Sequence, residues 1–213
     1  MGEIVLVRHG QANSAATDEV SYDRLSDLGR QQARWLGAWM SAHEWSFDHV
    51  LSGTLNRQRD TAFEMGKTPD EDPRLNELDY YTLSAAARDR LGIPLPGPEE
   101  FVNHMPRVIE AWRQAEIQGA EPYQNFTSRV REMITEAAVP GRRILCVTSG
   151  GVIGMILHQL LDLDLRHIGN VTMPIFNTSV HRLQVLPDRT ILAGFNAIPH
   201  LETPDRSHAR TYY

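Results

Sequence analysis

Residues 4–11 read Ile-Val-Leu-Val-Arg-His-Gly-Gln, and no other stretch constrains the fold as tightly. Four apolar residues, mostly β-branched, suit a short strand buried on both faces, the kind a parallel sheet requires. Arg8 and His9 follow at its carboxyl end, the edge at which open α/β sheets bind ligands. Gly10 lets the backbone turn sharply and approach a ligand closely. A neutral imidazole is a nucleophile near neutral pH, and an adjacent guanidinium can hold phosphoryl oxygens while it attacks. Three residues are a short motif. A strand end with a solvated arginine and a hydrogen-bonded histidine reads the same way.

Length and charge narrow the choices. With 213 residues, 41% of them hydrophobic, the chain can bury a full core as one α/β domain with an elaboration. A formal net charge of −6 gives no basic field for nucleic acid, so any phosphate site must be local. The lone Cys146 lies in an apolar run, which excludes an internal disulfide and suits a buried, inert thiol. No apolar run reaches spanning length, and no charged leader with a hydrophobic stretch opens the chain. The expectation is a soluble, cytoplasmic protein that binds neither nucleic acid nor membrane.

Several segments carry local signals. Residues 11–22 are small and polar, hence loop. Ser26 is set to cap a helix on which Leu28, Trp35, Leu36 and Trp39 or Met40 recur at helical spacing and face the sheet. Residues 47–52 read as a second strand, and Thr54 as the cap of a helix over 55–67. Arg57 lies near the start of that helix, where a cation opposes the macrodipole; an anion shared with the helix terminus would explain it. Arg59 points away from Arg57, toward solvent. In the segment around Glu77 and Asp79, an extended backbone puts both carboxylates on one side, and spacing does not choose which is a general acid.

Residues 82–140 form a largely helical insertion. There, Pro94, Pro96 and Pro98 punctuate a loop and Pro106 must start or kink a helix spanning 99–117, with a further helix starting at 122–123. Residues 143–148, with the apolar run Ile144-Leu145-Cys146-Val147, read as a central strand, followed by Ser149-Gly150-Gly151 and a helix from Val152, an anion-facing terminus. Val147 stands where a serine-hydrolase elbow needs glycine. Residues 177–186 and 190–196 read as a closing strand pair, and the tail to Tyr213 as polar and exposed.

Taken together, these segments resemble the histidine phosphatase superfamily, the phosphoglycerate-mutase-like proteins. Leu6-Val7-Arg8-His9-Gly10-Gln11 is similar to its signature. The Leu25–Ala33 helix start, the run from Ser52 through Arg57 to Thr61-Ala62, Leu75-Asn76-Glu77-Leu78, and Val147 through Ile153 match further motifs in order. Asn177-Thr178-Ser179 and His200-Leu201 resemble the closing segments. The resemblance implies a three-layer α/β/α sandwich around a mainly parallel sheet, a single domain over residues 1–213 with the helical insertion over the active site.

It further implies His9 as the phosphorylated nucleophile, Arg8 and Arg57 as phosphate clamps, and Glu77 rather than Asp79 as the proton donor. Gly10, Ser149 and Gly150 are expected around the phosphate, with no cofactor or metal. One departure stands out: the family has a second histidine where this chain has Ser149. A serine supplies a hydrogen bond but no charge, and loss of one preorganised donor costs on the order of 10²–10³ in rate. The expected function is therefore hydrolysis of a small phosphomonoester through a phosphohistidine, slowed by Ser149. The alternatives are a phosphoglycerate-mutase-like phosphotransferase and a catalytically impaired protein that binds inorganic phosphate or a phosphorylated ligand. A homodimer is compatible with each.

Overall fold

A computed structural model describes residues 2–13, 15–16, 18–97 and 100–212. Its strands are β1 (Gly2–Arg8), β2 (His49–Ser52), β3 (Asp70–Glu71), β4 (Arg143–Thr148), β5 (Val180–Val185) and β6 (Thr190–Ala197). They form one sheet in the order β3-β2-β4-β1-β5-β6. The first four pair in parallel, while β5 and β6 close the sheet antiparallel.

The apolar run of β1 is buried on both faces because side chains alternate across a strand. Ile4 and Leu6 join Ile144 and Cys146 in one core; Val5 and Val7 join Leu145 and Val147 in the other. Burial pushes the Cys146 thiol up to about 12, which keeps it protonated and inert.

The helices are α1 (Glu19–Tyr22), α2 (Asp27–Ala42), α3 (Asn56–Glu64), α4 (Tyr80–Leu91), α5 (Phe101–Arg113), α6 (Tyr123–Ala137), α7 (Gly150–Leu161) and α8 (Ile168–Thr172). Residues of α2 and α3 fill the second core, and those of α4 to α8 fill the first, giving helices on both sides of the sheet. Among the described residues no helix is long and apolar enough to cross a membrane.

Ser26 caps α2 as expected, its hydroxyl accepting from the Gly29 N–H at 3.0 Å. Only part of the α2 stripe meets the sheet. Ala33, Leu36 and Met40 do, whereas Leu28 and Trp35 cover Ile198, Leu201 and Ala209 near the C-terminus. The tail beyond Leu201 is mostly exposed, as expected, with Ala209 buried and several of its carbonyls tied to the body of the protein. Gln32 donates to the Ala209 carbonyl (2.7 Å), the Asn177 N–H to the Thr211 carbonyl (2.8 Å), and Arg8 to the Tyr212 carbonyl (2.6 Å). An exposed tail is held in place here because its backbone carbonyls satisfy inward-facing donors.

The region between β3 and β4 is helical, but it starts at Tyr80 rather than 82, with Asp79 as the cap. Pro106 lies inside α5. Proline donates no hydrogen bond to the Val102 carbonyl, and Gly169 packs against that oxygen: a Cβ there would lie 2.7 Å from it. The helix at 122–123 starts as expected, with Pro122 preceding α6. Pro98 and Glu99 lie outside the described residues. The helix after β4 starts at Gly150, two residues earlier than expected.

Candidate active site

Strands β1 and β4 are neighbours, with Arg8 opposite Thr148, so the Arg-His-Gly turn and the start of α7 share one sheet edge. The His9 N–H donates to the Thr148 carbonyl at 2.9 Å. His9 is buried, and its Nδ1 lies 2.7 Å from the Gly10 carbonyl. A carbonyl only accepts, so Nδ1 carries the proton and Nε2 keeps its lone pair. Burial, with the Arg57 and Arg8 charges beside it, holds the His9 pKa well below the usual imidazole range. The ring is therefore neutral, the form a nucleophile needs.

Both expected arginines are buried and line the same cavity as His9. Arg8 is anchored through Nη1 by the Ile175 and Tyr212 carbonyls. Burial lowers its pKa, with Tyr22 and Glu77 opposing and Arg57 adding to the fall. Arg57 donates through Nη1 to Glu19 (2.7 Å) and Asp23 (3.1 Å), and its guanidinium lies 4.9 Å from the Tyr22 ring centre. Burial opposes the Arg57 charge, but Glu19, Tyr22 and Glu77 outweigh it and raise its pKa. In both arginines Nε is buried with no partner among the described residues.

The anion that Arg57 called for at the start of α3 is part of the protein. Asp23 accepts from the Arg57 N–H (3.1 Å) and the Asn56 N–H (2.9 Å), as well as from the Arg57 side chain. It thus serves as the remote cap of α3. Thr54 does not cap: Leu55 holds the cap position without a side-chain bond, while Thr54 pairs with Asn76. Arg59 is half-exposed and binds Glu71 and Asn56, away from the cavity.

Glu77 and Asp79 part company. Asp79 accepts from the Thr82 N–H (3.0 Å) and hydroxyl (2.5 Å) at the start of α4. Glu77 lines the cavity and accepts from the Gly151 N–H at 2.8 Å. Glycine at 151 leaves Glu77 its place, because a Cβ would lie 2.4 Å from Glu77 Oε1 and displace the carboxylate. Asn76 ties this loop to Thr54, and Arg129 of α6 binds the Arg74 and Asn76 carbonyls at 2.7 and 2.9 Å. The acid is thereby fixed from both sides.

Two expected phosphate ligands lie behind the cavity wall. The Gly10 N–H donates to Thr61 Oγ1 at 3.0 Å, and Gly10 makes room for the Gly29 carbonyl instead of a ligand. Ser149 is fully buried and absent from the cavity lining; its hydroxyl accepts from Gln58 Nε2 at 2.8 Å. Gly150, the first residue of α7, does line the cavity.

The cavity holds about 690 Å³. Arg8, His9, Arg57, Glu77, Gly150 and Gly151 gather with Glu19, Tyr22 and Tyr212 along its wall. The last three escape a reading by motif. Glu19 and Tyr22 sit on α1, inside a segment whose polarity reads as loop, and Tyr212 arrives only through long-range packing of the tail. Asp23 left one trace in the sequence, the unexplained charge of Arg57 at a helix start.

A family model described as the histidine phosphatase superfamily (branch 1) matches residues 4–198. Among curated proteins, a 2,3-bisphosphoglycerate-dependent phosphoglycerate mutase from Azorhizobium caulinodans is 29% identical over 177 residues, 74% of this chain and 82% of that one. A mitochondrial serine/threonine-protein phosphatase Pgam5 from Drosophila persimilis is 33% identical over 104 residues, 47% of this chain. That match covers only 32% of the fly protein's length.

Among solved structures, phosphoserine phosphatase from Entamoeba histolytica superimposes with a TM-score of 0.67 at 17% identity, covering 94% of this chain and 100% of that one. Mycobacterial glucosyl-3-phosphoglycerate phosphatase gives 0.62 at 21% identity, covering 92% and 98%. These likenesses establish the shared fold.

Proposed function

The chain belongs to the histidine phosphatase superfamily, and on that premise we propose that it hydrolyses small phosphomonoesters through a phosphohistidine on His9. One observation carries the reading: Arg8, His9, Arg57 and Glu77 converge on a single cavity. Neutral His9 attacks phosphorus through Nε2, and the bond from phosphorus to the leaving oxygen breaks with its electron pair on oxygen. Glu77 supplies the proton that this oxygen takes up. Arg8, Arg57 and the positive end of the α7 dipole stabilise the phosphoryl oxygens as charge shifts. Water then attacks phosphorus, its proton passes to Glu77, and the bond to Nε2 breaks to release inorganic phosphate.

The test is steady-state hydrolysis of phenyl phosphate by the wild type, His9→Ala, Glu77→Gln and Asp79→Asn. The reading expects turnover that His9→Ala abolishes and Glu77→Gln lowers by about 10²–10⁴. Asp79→Asn should leave kcat within about twofold, because Asn still caps a helix. Turnover that survives His9→Ala would refute the phosphohistidine route.

A second reading, a non-catalytic phosphate binder, draws on Ser149. Its hydroxyl accepts from Gln58 Nε2 and Ser149 does not line the cavity, which supports a site short of the extra donor that the resemblance implies. That reading expects saturable phosphate binding with no turnover of any ester. A mutase would instead return the phosphoryl group to a second hydroxyl, and product analysis separates the two.

A further inference from the structure

The phosphate-facing groups occupy one part of the cavity, and the remaining wall has another character. Leu78, Phe101, Met105, Ile109, Met155 and Ile168 line it, all buried except the half-buried Phe101. Its polar side chains are the neutral hydroxyls of Tyr80, Tyr81, Ser84 and Thr172, and those of Ser84 and Thr172 are buried with no partner among the described residues. The Tyr80 hydroxyl is already bonded to His104 Nδ1 at 2.6 Å. Beyond the residues gathered around His9, Arg88 is the one charged group on the wall among the described residues; it is exposed and paired with Asp89 at 2.7 Å. Exposed Tyr81 and Leu95 continue the apolar wall outward.

We infer that the substrate is the monophosphate of an uncharged, mainly hydrocarbon alcohol, and that α4, α5, α7 and α8 hold its hydrocarbon part. The inference rests on the phosphomonoester reading above for the end of the ligand that carries phosphate. A volume of about 690 Å³ falls in the range that takes a ligand far larger than phosphate alone. Apolar surface entering this wall leaves water favourably. A carboxylate or ammonium on the leaving group would lose hydration there and meet no buried opposite charge. The two unpartnered hydroxyls can meet one or two polar atoms, fewer than a sugar-like or amino-acid-like leaving group carries. An aromatic alcohol and a straight-chain alcohol share the required chemistry.

Binding of unhydrolysable phosphonates decides the matter without requiring turnover. Affinities of methyl-, butyl-, hexyl- and octylphosphonate are measured by calorimetry on the full chain, with naphthylmethylphosphonate as the aromatic arm and 3-phosphonopropionate as the charged arm. The expected result is up to about fourfold tighter binding per added methylene until the cavity is full. The charged compound should bind more weakly than butylphosphonate. A larger gain for the naphthyl compound than for hexyl would identify a ring-shaped leaving group, and the reverse a chain. Phe101→Ser should flatten the length dependence. Affinities within twofold from methyl to octyl, or tighter binding of the charged arm, would overturn the inference. So would a length dependence unchanged in both Phe101→Ser and Met155→Ser. Absence of phenyl phosphate turnover would instead count against the phosphatase reading, while the phosphonate series still decides this one.

Discussion

Ser149 and Gln58 form a coupled pair, and restoring a histidine at 149 should work only if Gln58 yields. Both side chains are fully buried, and Gln58 Nε2 donates to Ser149 Oγ at 2.8 Å and to the Leu75 carbonyl at 3.1 Å. An imidazole at 149 needs the space that this amide fills. Ser149→His alone should therefore overpack the site, costing about 1–3 kcal/mol of stability with little gain in rate. Gln58→Ala alone loses those bonds, but the Leu75 carbonyl keeps the Thr148 hydroxyl at 2.7 Å, so no buried acceptor is stranded there. Its cost should also be about 1–3 kcal/mol, from lost bonds and an unfilled space.

In the double variant the ring has room and adds a preorganised donor beside the phosphoryl group. A gain on the order of 10²–10³ in kcat follows, about 3–4 kcal/mol of coupling in the transition state. The assay is phenyl phosphate hydrolysis by all four proteins, with urea unfolding to correct for folded fraction. A full gain from Ser149→His alone would refute the steric coupling. A folded double variant no faster than wild type would refute the idea that this site lacks a donor.

Further outcomes test other parts of the site. Gly151→Ala should push Glu77 off the Gly151 N–H and lower kcat about as far as Glu77→Gln, while unfolding stability changes little; equal kcat in wild type and Gly151→Ala would contradict that geometry. Glu19→Gln removes a carboxylate from Arg57 and should tighten inorganic phosphate binding about three- to tenfold, read by calorimetry; weaker binding would show that Glu19 organises the arginine instead of competing for it.

Burial lowers the pKa of His181 and of His200 to about 3, with Arg8 and Arg206 respectively adding to the fall. The unfolded chain binds these protons near pH 6.5 and the folded protein does not, so stability falls as pH drops from about 6.5 toward 3. Together the two cost about 4 kcal/mol between pH 8 and pH 5, and His181→Gln should remove about half of that loss. A flat urea midpoint across that range would exclude it.

How much was legible follows from the range of the interactions. Strands β1 and β4 were readable because burial on both faces demands an unbroken apolar run, Ile4 to Val7 in one and Ile144 to Val147 in the other, and Ser26 because a cap acts within three residues. Arg8, His9 and Glu77 lie beside such local signals. Thr54 misled because the cap of α3 comes from Asp23, 33 residues away from Asn56. Leu28 and Trp35 misled because helical spacing marks an apolar face without naming what covers it, and here the C-terminal segment does.

The sequence by itself determined the buried strands, the Arg-His-Gly turn at their carboxyl edge and the absence of histidine at 149, since each is written in residue type and short spacing. Tertiary structure alone decided that Asp79 caps a helix, that Asp23 and Glu19 hold Arg57, that Gln58 holds Ser149 behind the wall, and that the Tyr212 carbonyl anchors Arg8. The reason is physical. A buried charge or hydroxyl needs partners in three dimensions, and a folded chain draws them from wherever packing brings a donor or acceptor within reach.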